Sequence, residues 1–256
     1  MPIPEIDAIV DRLDHVVADA RARRHPSGFF SAMYRQVTKT VGREIEAGRF
    51  DDDPRMARFV GMFAGRYLEA LRLWQGGQPP TRSWRATFRA GDRSDALILQ
   101  HLLLGMNAHI NLDLAVVAAT LCPGDSISQL KGDFGRINDI LHGLMQPIQD
   151  CVGHFSPLLH ILWDFGGSAD DEVLNFSIRV AREDAWHQAV TLAHLDPTRF
   201  APAVDSLDRK VAVLARLVGE PGGTLGHAVH VVRFMESRDV VAVIDALAKV
   251  EPVGPR

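Results

Sequence analysis

Residues 96–121 decide the fold of this protein, and they read ALILQHLLLGMNAHINLDLAVVAATL. The stretch is long and apolar, and it contains no Lys, Arg or Glu. A helix without a charged face is buried on all sides, so we predict a central core helix over about residues 95–121. Such a length also suits a membrane span, but polar residues inside the stretch argue against one. These residues are Gln100, His101, Asn107, His109, Asn111 and Asp113.

The remainder of the chain also predicts helices, because apolar residues recur at spacings of three and four. Asp53-Pro54 and Asp196-Pro197 each place a capping residue before a proline at the first helical position. No segment shows the alternation typical of a strand with its turns. Residues 76–94 are rich in Gly and Pro, and we predict an irregular connection there, either a lid or a crossover against the core. The chain is therefore predicted to be a single all-α domain over residues 1–256, a multi-helix bundle around the central helix.

Composition narrows the classes of function. The chain has 256 residues, of which 46% are hydrophobic, and a formal net charge of −4. An acidic balance argues against a general nucleic-acid or anionic-membrane binder, since either needs a basic surface. Two cysteines exclude a disulfide scaffold, and the acidic N-terminus lacks the pattern of a signal peptide. We expect a cytoplasmic protein with a small-molecule substrate and no membrane span; the oligomeric state stays open.

The polar residues of the central helix fall into two stripes at about 100° per residue. Gln100, Asn107 and Asn111 share one side, where we predict hydrogen bonds to neighbouring helices that fix the register. His109 and Asp113 lie one turn apart on the other side, with His101 toward them. An imidazole and a carboxylate at this spacing can chelate one metal ion, or the carboxylate can orient the imidazole.

Two further histidine–carboxylate pairs have the same spacing. His160 and Asp164 lie on a short predicted helix, and Glu183 and His187 lie on the next one. We expect Glu183 and His187 to share the inward, apolar face of their helix. Three such pairs predict a metal or dimetal site, with a divalent ion such as zinc or iron. The alternative is a metal-free acid–base cluster of buried His–Asp pairs.

Asp133 is a further candidate, because it lies between two glycines in the sequence GDFG, where the backbone can approach closely. We assign the catalytic base, or the residue that orients it, to Asp133 or His101. No phosphate loop or dinucleotide fingerprint occurs in the sequence, so no nucleotide cofactor is suggested.

The leading functional hypothesis is a metal-dependent enzyme, with hydrolysis as its reaction. The metal would lower the pKa of bound water and polarise the substrate oxygen. Two alternatives stay open. One is a metal-free tailoring enzyme, a cyclase or isomerase, that uses buried His–Asp pairs in an apolar pocket. The other is a helical binding protein for an apolar small molecule.

Four stretches together resemble a known family: MFAGRYLEA (62–70), LLGMNAHINLDL (103–114), DFGRIND (133–139) and AREDAWHQA (181–189). They are similar to an actinobacterial family of all-helical proteins, the domain-of-unknown-function family 5995. The resemblance implies a bacterial, intracellular protein and assigns no catalytic residue. In size and composition, such proteins resemble accessory and tailoring enzymes of bacterial secondary metabolism, which is an analogy only.

A second comparison concerns metal ligands. The pairs His109/Asp113 and His160/Asp164 are similar to those of all-helical zinc-dependent phospholipases C and P1-type nucleases. This chain departs from that pattern, because it lacks a ligating N-terminal Trp and a signal peptide. It also reverses the third pair, Glu183/His187.

Overall fold

The computed structural model of the protein describes residues 4–93, 95–160 and 171–252. These residues contain helices and no strand, which confirms the predicted all-α class. The α-helices in chain order are α1 (Pro4–Ala22), α2 (Ser27–Glu46), α3 (Asp53–Gln75), α4 (Arg82–Gly91), α5 (Ile98–Ala108), α6 (Ala115–Leu121), α7 (Lys131–Phe155), α8 (Asp171–Ala193), α9 (Pro197–Gly219), α10 (Gly223–Met235) and α11 (Val240–Leu247). A 3₁₀ helix, Gly124–Leu130, leads into α7.

The predicted central helix is present and buried. It consists of α5, a π-helical turn over His109–Leu114, and α6, which follow one another without a break. By length and composition, Ile98–Leu121 could cross a membrane, but 72% of its most apolar window is buried inside the fold. That burial is typical of a core helix in a globular protein. The π turn was not predicted, and it contains both His109 and Asp113.

Close packing between α2 and α5 depends on one glycine. A Cβ atom at Gly105 would lie 2.3 Å from Cδ2 of Phe30, which is far inside van der Waals contact. The missing side chain therefore lets α2 approach the central segment, and Phe30 reaches the ring of His109 in a T-shaped contact at 5.8 Å. The largest cluster of buried apolar residues surrounds this contact and extends from Ile6 to Val250.

The prediction of an irregular connection over residues 76–94 was wrong, because α4 forms inside it. Trp84 and Phe88 of α4 are buried in the core. The carboxylate of Asp208 in α9 accepts hydrogen bonds from the backbone N–H groups of Arg82 and Ser83, at 2.8 and 3.0 Å. The side chain that caps α4 therefore lies more than a hundred residues away along the chain. For this reason, no local sequence signal marks the start of α4.

Gly132 and Gly135 of the GDFG sequence do not interrupt the helix that follows the central segment. Both glycines lie within α7, which continues from Lys131 to Phe155 with Pro147 inside it. The start at Asp196-Pro197 is confirmed, while α3 begins one residue earlier than predicted, with Asp52 in place of Asp53 as its capping residue. The carboxylate of Asp196 accepts hydrogen bonds from two backbone N–H groups of the first turn of α9.

Candidate functional site

A cavity of about 550 Å³ lies between α2, α3, the central segment and α7. Its volume is in the usual range of small-molecule sites, and such sites are mostly apolar with a few polar groups. The apolar lining comes from Phe30, Met33, Tyr34, Val37, Phe63, Leu99, Leu102, Met106, Ile110, Ile137, Leu141, Leu144, Met145, Ile148, Val152, Pro157 and Leu159. Residues that are far apart in the sequence thus form one apolar chamber.

His109 is one of three buried polar side chains that line this cavity, the others being Ser156 and Arg182. Its ring stacks on Phe63, with centroids 3.6 Å apart and planes inclined by 13°, and Tyr34 meets it edge-on at 4.3 Å. The histidine is only 4% exposed. Within the described part of the chain, neither ring nitrogen has a hydrogen-bond partner. An unsatisfied buried polar group costs about 1–3 kcal/mol, so a molecule that supplied the missing partner would recover that cost.

Burial lowers the pKa of His109, and the nearby Asp113 opposes that shift only in part. The imidazole is therefore neutral near pH 7, with one nitrogen that donates a hydrogen bond and one that accepts. Nδ1 lies 3.6 Å from Oδ2 of Asp113, which is too long for a hydrogen bond. The carboxylate still favours the tautomer with the proton on Nδ1, because a negative charge attracts the N–H dipole.

Asp113 is completely buried and has protein partners of its own. Arg66 of α3 donates from Nε at 2.5 Å, and Trp84 of α4 donates from Nε1 at 2.8 Å. A carboxylate buried in an apolar helix needs a partner that neutralises its charge, and here an arginine supplies it. Sequence reasoning missed Arg66 because its contact with Asp113 depends on how α3 packs against the π turn.

The amide stripe on the opposite side makes hydrogen bonds, as predicted. Gln100 donates to the backbone oxygen of Val218 at 2.8 Å, and Asn107 donates to that of Val211 at 3.0 Å. Asn111 donates to the side-chain oxygen of Asn107 at 2.9 Å. The bonds from Gln100 and Asn107 tie the central segment to α9, while that of Asn111 stays within the segment.

The inward placement predicted for Glu183 and His187 was wrong, since both side chains are exposed. Glu183 accepts a hydrogen bond from Arg179 at 2.8 Å on the surface of α8. The inward position belongs to Arg182, which is 3% exposed and lines the cavity. Apolar residues are spread around α8 instead of marking one face, so the sequence alone does not fix its rotation, and the predicted phase was displaced by about one residue.

Arg182 is a functional candidate that sequence reasoning missed. Its Nη2 donates to the backbone oxygen of Phe134 at 2.9 Å, and its guanidinium lies 4.5 Å above the ring of that residue. Burial lowers the pKa of Arg182 to about 9. The group is still cationic at neutral pH, and it adds one positive charge to the cavity wall.

The two predicted catalytic residues do not line the cavity. Asp133 is buried as predicted, but it accepts hydrogen bonds from the backbone N–H of Asp51 and from Arg55 and Arg136, at 2.6 to 2.8 Å. It thereby ties the segment before α3 to α7. His101 lies edge-on to Phe29, and burial lowers its pKa to about 4.

The predicted metal ligands are not brought together where the structure describes them. Asp113 is bound by Arg66, and Glu183 and His187 lie on the surface. His160 is exposed at the rim of the cavity, while Asp164 lies outside the described residues. Among described residues, no group of three or more His, Cys, Asp and Glu side chains has the arrangement of a metal site.

Comparison with known proteins identifies a family but no activity. No curated protein matches the chain, and no solved structure matches it. The sequence model of a family of unknown function (DUF5995) matches residues 6–221. This range includes the cavity, the π turn and the helices that surround both. Because the match covers most of its length, the chain belongs to the family of unknown function DUF5995.

Proposed function

We propose that this protein binds an apolar small molecule in the cavity, with a polar group of that molecule against His109. The observation that carries the proposal is the pair of unsatisfied ring nitrogens on a buried wall of an apolar chamber. Water or a ligand must satisfy such atoms, and a ligand that fills the chamber also buries its own apolar surface. This is the binding-protein alternative among the three sequence hypotheses.

The tautomer of His109 indicates which polar group fits. With the proton on Nδ1 toward Asp113, Nε2 is left with a lone pair that can accept a hydrogen bond. The complementary ligand is therefore apolar and carries a hydroxyl or another donor. Arg182 on the α8 side of the cavity is a second polar contact, suited to an oxygen acceptor.

The neutral fluorescent probe N-phenyl-1-naphthylamine tests the cavity. We expect its fluorescence to rise when it binds the wild-type protein, because the chamber removes it from water. Ile110→Trp places a larger side chain in the cavity wall and should weaken probe binding by about tenfold. Val231→Trp, at an exposed position on α10, is the matched control and should bind like the wild type.

Two outcomes would contradict the binding proposal. In the first, the wild-type protein gives no probe signal. In the second, Ile110→Trp and Val231→Trp bind the probe equally well, which would place the probe outside the cavity.

Metal-free acid–base chemistry on the bound molecule is a second candidate function. It is favoured by the neutral His109 with a carboxylate 3.6 Å from its Nδ1, since this arrangement suits a general base. Molecules that copurify with the protein can be identified by mass spectrometry and then incubated with fresh protein. Conversion that is lost in His109→Phe supports catalysis, and an unchanged ligand supports binding alone.

Metal-dependent hydrolysis, a link to secondary metabolism and a cytoplasmic location stay predictions. Elemental analysis of protein purified without a histidine tag tests the hypothesis of metal-dependent hydrolysis. A stoichiometric divalent ion that is lost in Asp113→Asn would support it. The small-molecule partner is common to all three functional hypotheses.

A further inference from the structure

A second site lies on the outer surface, in a groove of about 310 Å³ between α4 and α9. Five arginines line it, three from α4 and two from α9: Arg82, Arg85, Arg89, Arg209 and Arg216. The spacings of three, four and seven residues place each set on one face of its helix. Small residues, Ala86 and Ala212, also line the groove, so the guanidinium groups stand around open space.

The helices α4 and α9 run in the same direction. Carboxylates that pair with arginines occur near both ends of the groove between them. Near the start, Arg82 pairs with Asp205 and, at 3.5 Å, with Asp208. Beyond the end of α4, Arg93 contacts Glu220 at 3.2 Å. Each of these cations thus has a carboxylate from α9 or from the residue that follows it.

The arginines in the middle of the groove differ from those near its ends. Arg85, Arg89 and Arg216 have no ion pair or hydrogen bond from their side chains to any described residue. The chain as a whole carries a net charge of −4, so a local excess of three unmatched cations is not a consequence of general composition. Like charges that share one groove repel each other, and a bound anion would relieve that repulsion.

We propose that the groove between α4 and α9 binds a phosphate-bearing anion. Guanidinium groups are planar, weakly hydrated and matched to phosphate oxygens through paired hydrogen bonds. Three unmatched cations favour a multiply charged group over a single carboxylate. The phosphate can belong to a soluble molecule or to a lipid headgroup, and the exposed Val213 beside the groove is compatible with either source.

Inorganic pyrophosphate is the probe for the soluble source, and isothermal titration calorimetry measures its binding. We expect the triple variant Arg85→Gln, Arg89→Gln, Arg216→Gln to bind about tenfold more weakly or not at all, because the charged donors are gone. Arg238→Gln, which removes an exposed arginine outside the groove, is the matched control and should bind like the wild type. Circular dichroism establishes that the variants are folded, and Arg89→Gln alone replaces the triple variant if that one does not fold.

A variant that is expected to strengthen binding provides a further test. Asp205 pairs with both Arg82 and Arg209, so Asp205→Asn should release Arg209, leave Arg82 only its 3.5 Å contact with Asp208, and strengthen pyrophosphate binding. Cosedimentation with phosphatidylcholine vesicles that contain phosphatidylglycerol tests the lipid source. Vesicle binding without pyrophosphate binding, lost in the triple variant, assigns the same site to a headgroup. The proposal is overturned if neither probe binds, or if the wild-type protein and the triple variant bind equally well.

Discussion

At the scale of single residues, the burial of the polar His109 side chain costs stability. His109 is buried among aromatic rings, and neither of its nitrogens is satisfied by a described residue. Residues of this kind are retained at functional sites, where a ligand supplies what the fold does not. The cost of burying His109 leads to a prediction for the stability of the protein without a ligand.

His109→Phe should raise the free energy of unfolding by about 1 kcal/mol, because the unsatisfied nitrogens disappear and the stack on Phe63 is kept. Urea unfolding followed by circular dichroism measures the change. His187→Phe, at an exposed position on α8, is the control and should change stability by less than about 0.5 kcal/mol. A marked loss of stability in His109→Phe would show that the imidazole is a structural group.

Asp113→Asn should lower the free energy of unfolding by about 1–3 kcal/mol, since it leaves Arg66 without its carboxylate and weakens the bond from Trp84. The comparison is Asp19→Asn, which breaks an exposed pair with Arg23 and should cost less than about 1 kcal/mol. Equal effects of the two substitutions, measured by urea unfolding, would contradict the structural role of the buried pair.

At the scale of secondary-structure elements, the π turn and Gly105 set the geometry of the site. π-helical turns within α-helices are rare and occur frequently at functional sites. Here the turn holds His109 against the cavity and Asp113 against Arg66 and Trp84. One turn before it, Gly105 lets α2 bring Phe30 to the cavity wall.

Gly105→Ala should therefore destabilise the protein by about 1–3 kcal/mol, because the new methyl group would overlap the ring of Phe30. Gly135→Ala in α7 is the matched control. A Cβ atom there meets no heavy atom within 4 Å, so helix propensity should stabilise the protein by about 0.5–1 kcal/mol. Thermal melts of both variants measure the change in melting temperature. Changes in the same direction would show that packing at Gly105 is loose.

At the scale of the whole molecule, buried neutral histidines make the fold sensitive to acid. Burial lowers the pKa of both His101 and His109, and for His101 it is lowered from 6.5 to about 4. Between these two pH values, the unfolded chain binds a proton at residue 101 that the folded chain excludes. The stabilising contribution is complete above pH 6.5 and is lost as the pH falls toward 4.

We expect the free energy of unfolding to fall in that window, with His101 contributing a slope of up to about 1 kcal/mol per pH unit. His101→Met removes the titrating group and should flatten the dependence. Urea unfolding of both proteins at several pH values from 7 to 4 measures the difference. Identical slopes would mean that His101 is accessible to protons in the folded state.

The sequence by itself determined the fold class, the buried central helix and, to within one residue, the helix starts at the two Asp-Pro pairs. These features depend on local periodicity and capping, which neighbouring residues encode. It also identified His109 and Asp113 as costly buried residues, since polar groups in an uncharged apolar helix need partners whatever surrounds them.

Only the tertiary structure decided which partners those are. Arg66 and Trp84 come from two other helices, and Asp208 caps α4 from more than a hundred residues away. The rotation of α8, which buries Arg182 and exposes Glu183, depends on packing against α7 and the central segment. Long-range contacts of this kind are selected by shape and charge in three dimensions, and a single sequence carries no local signal of them.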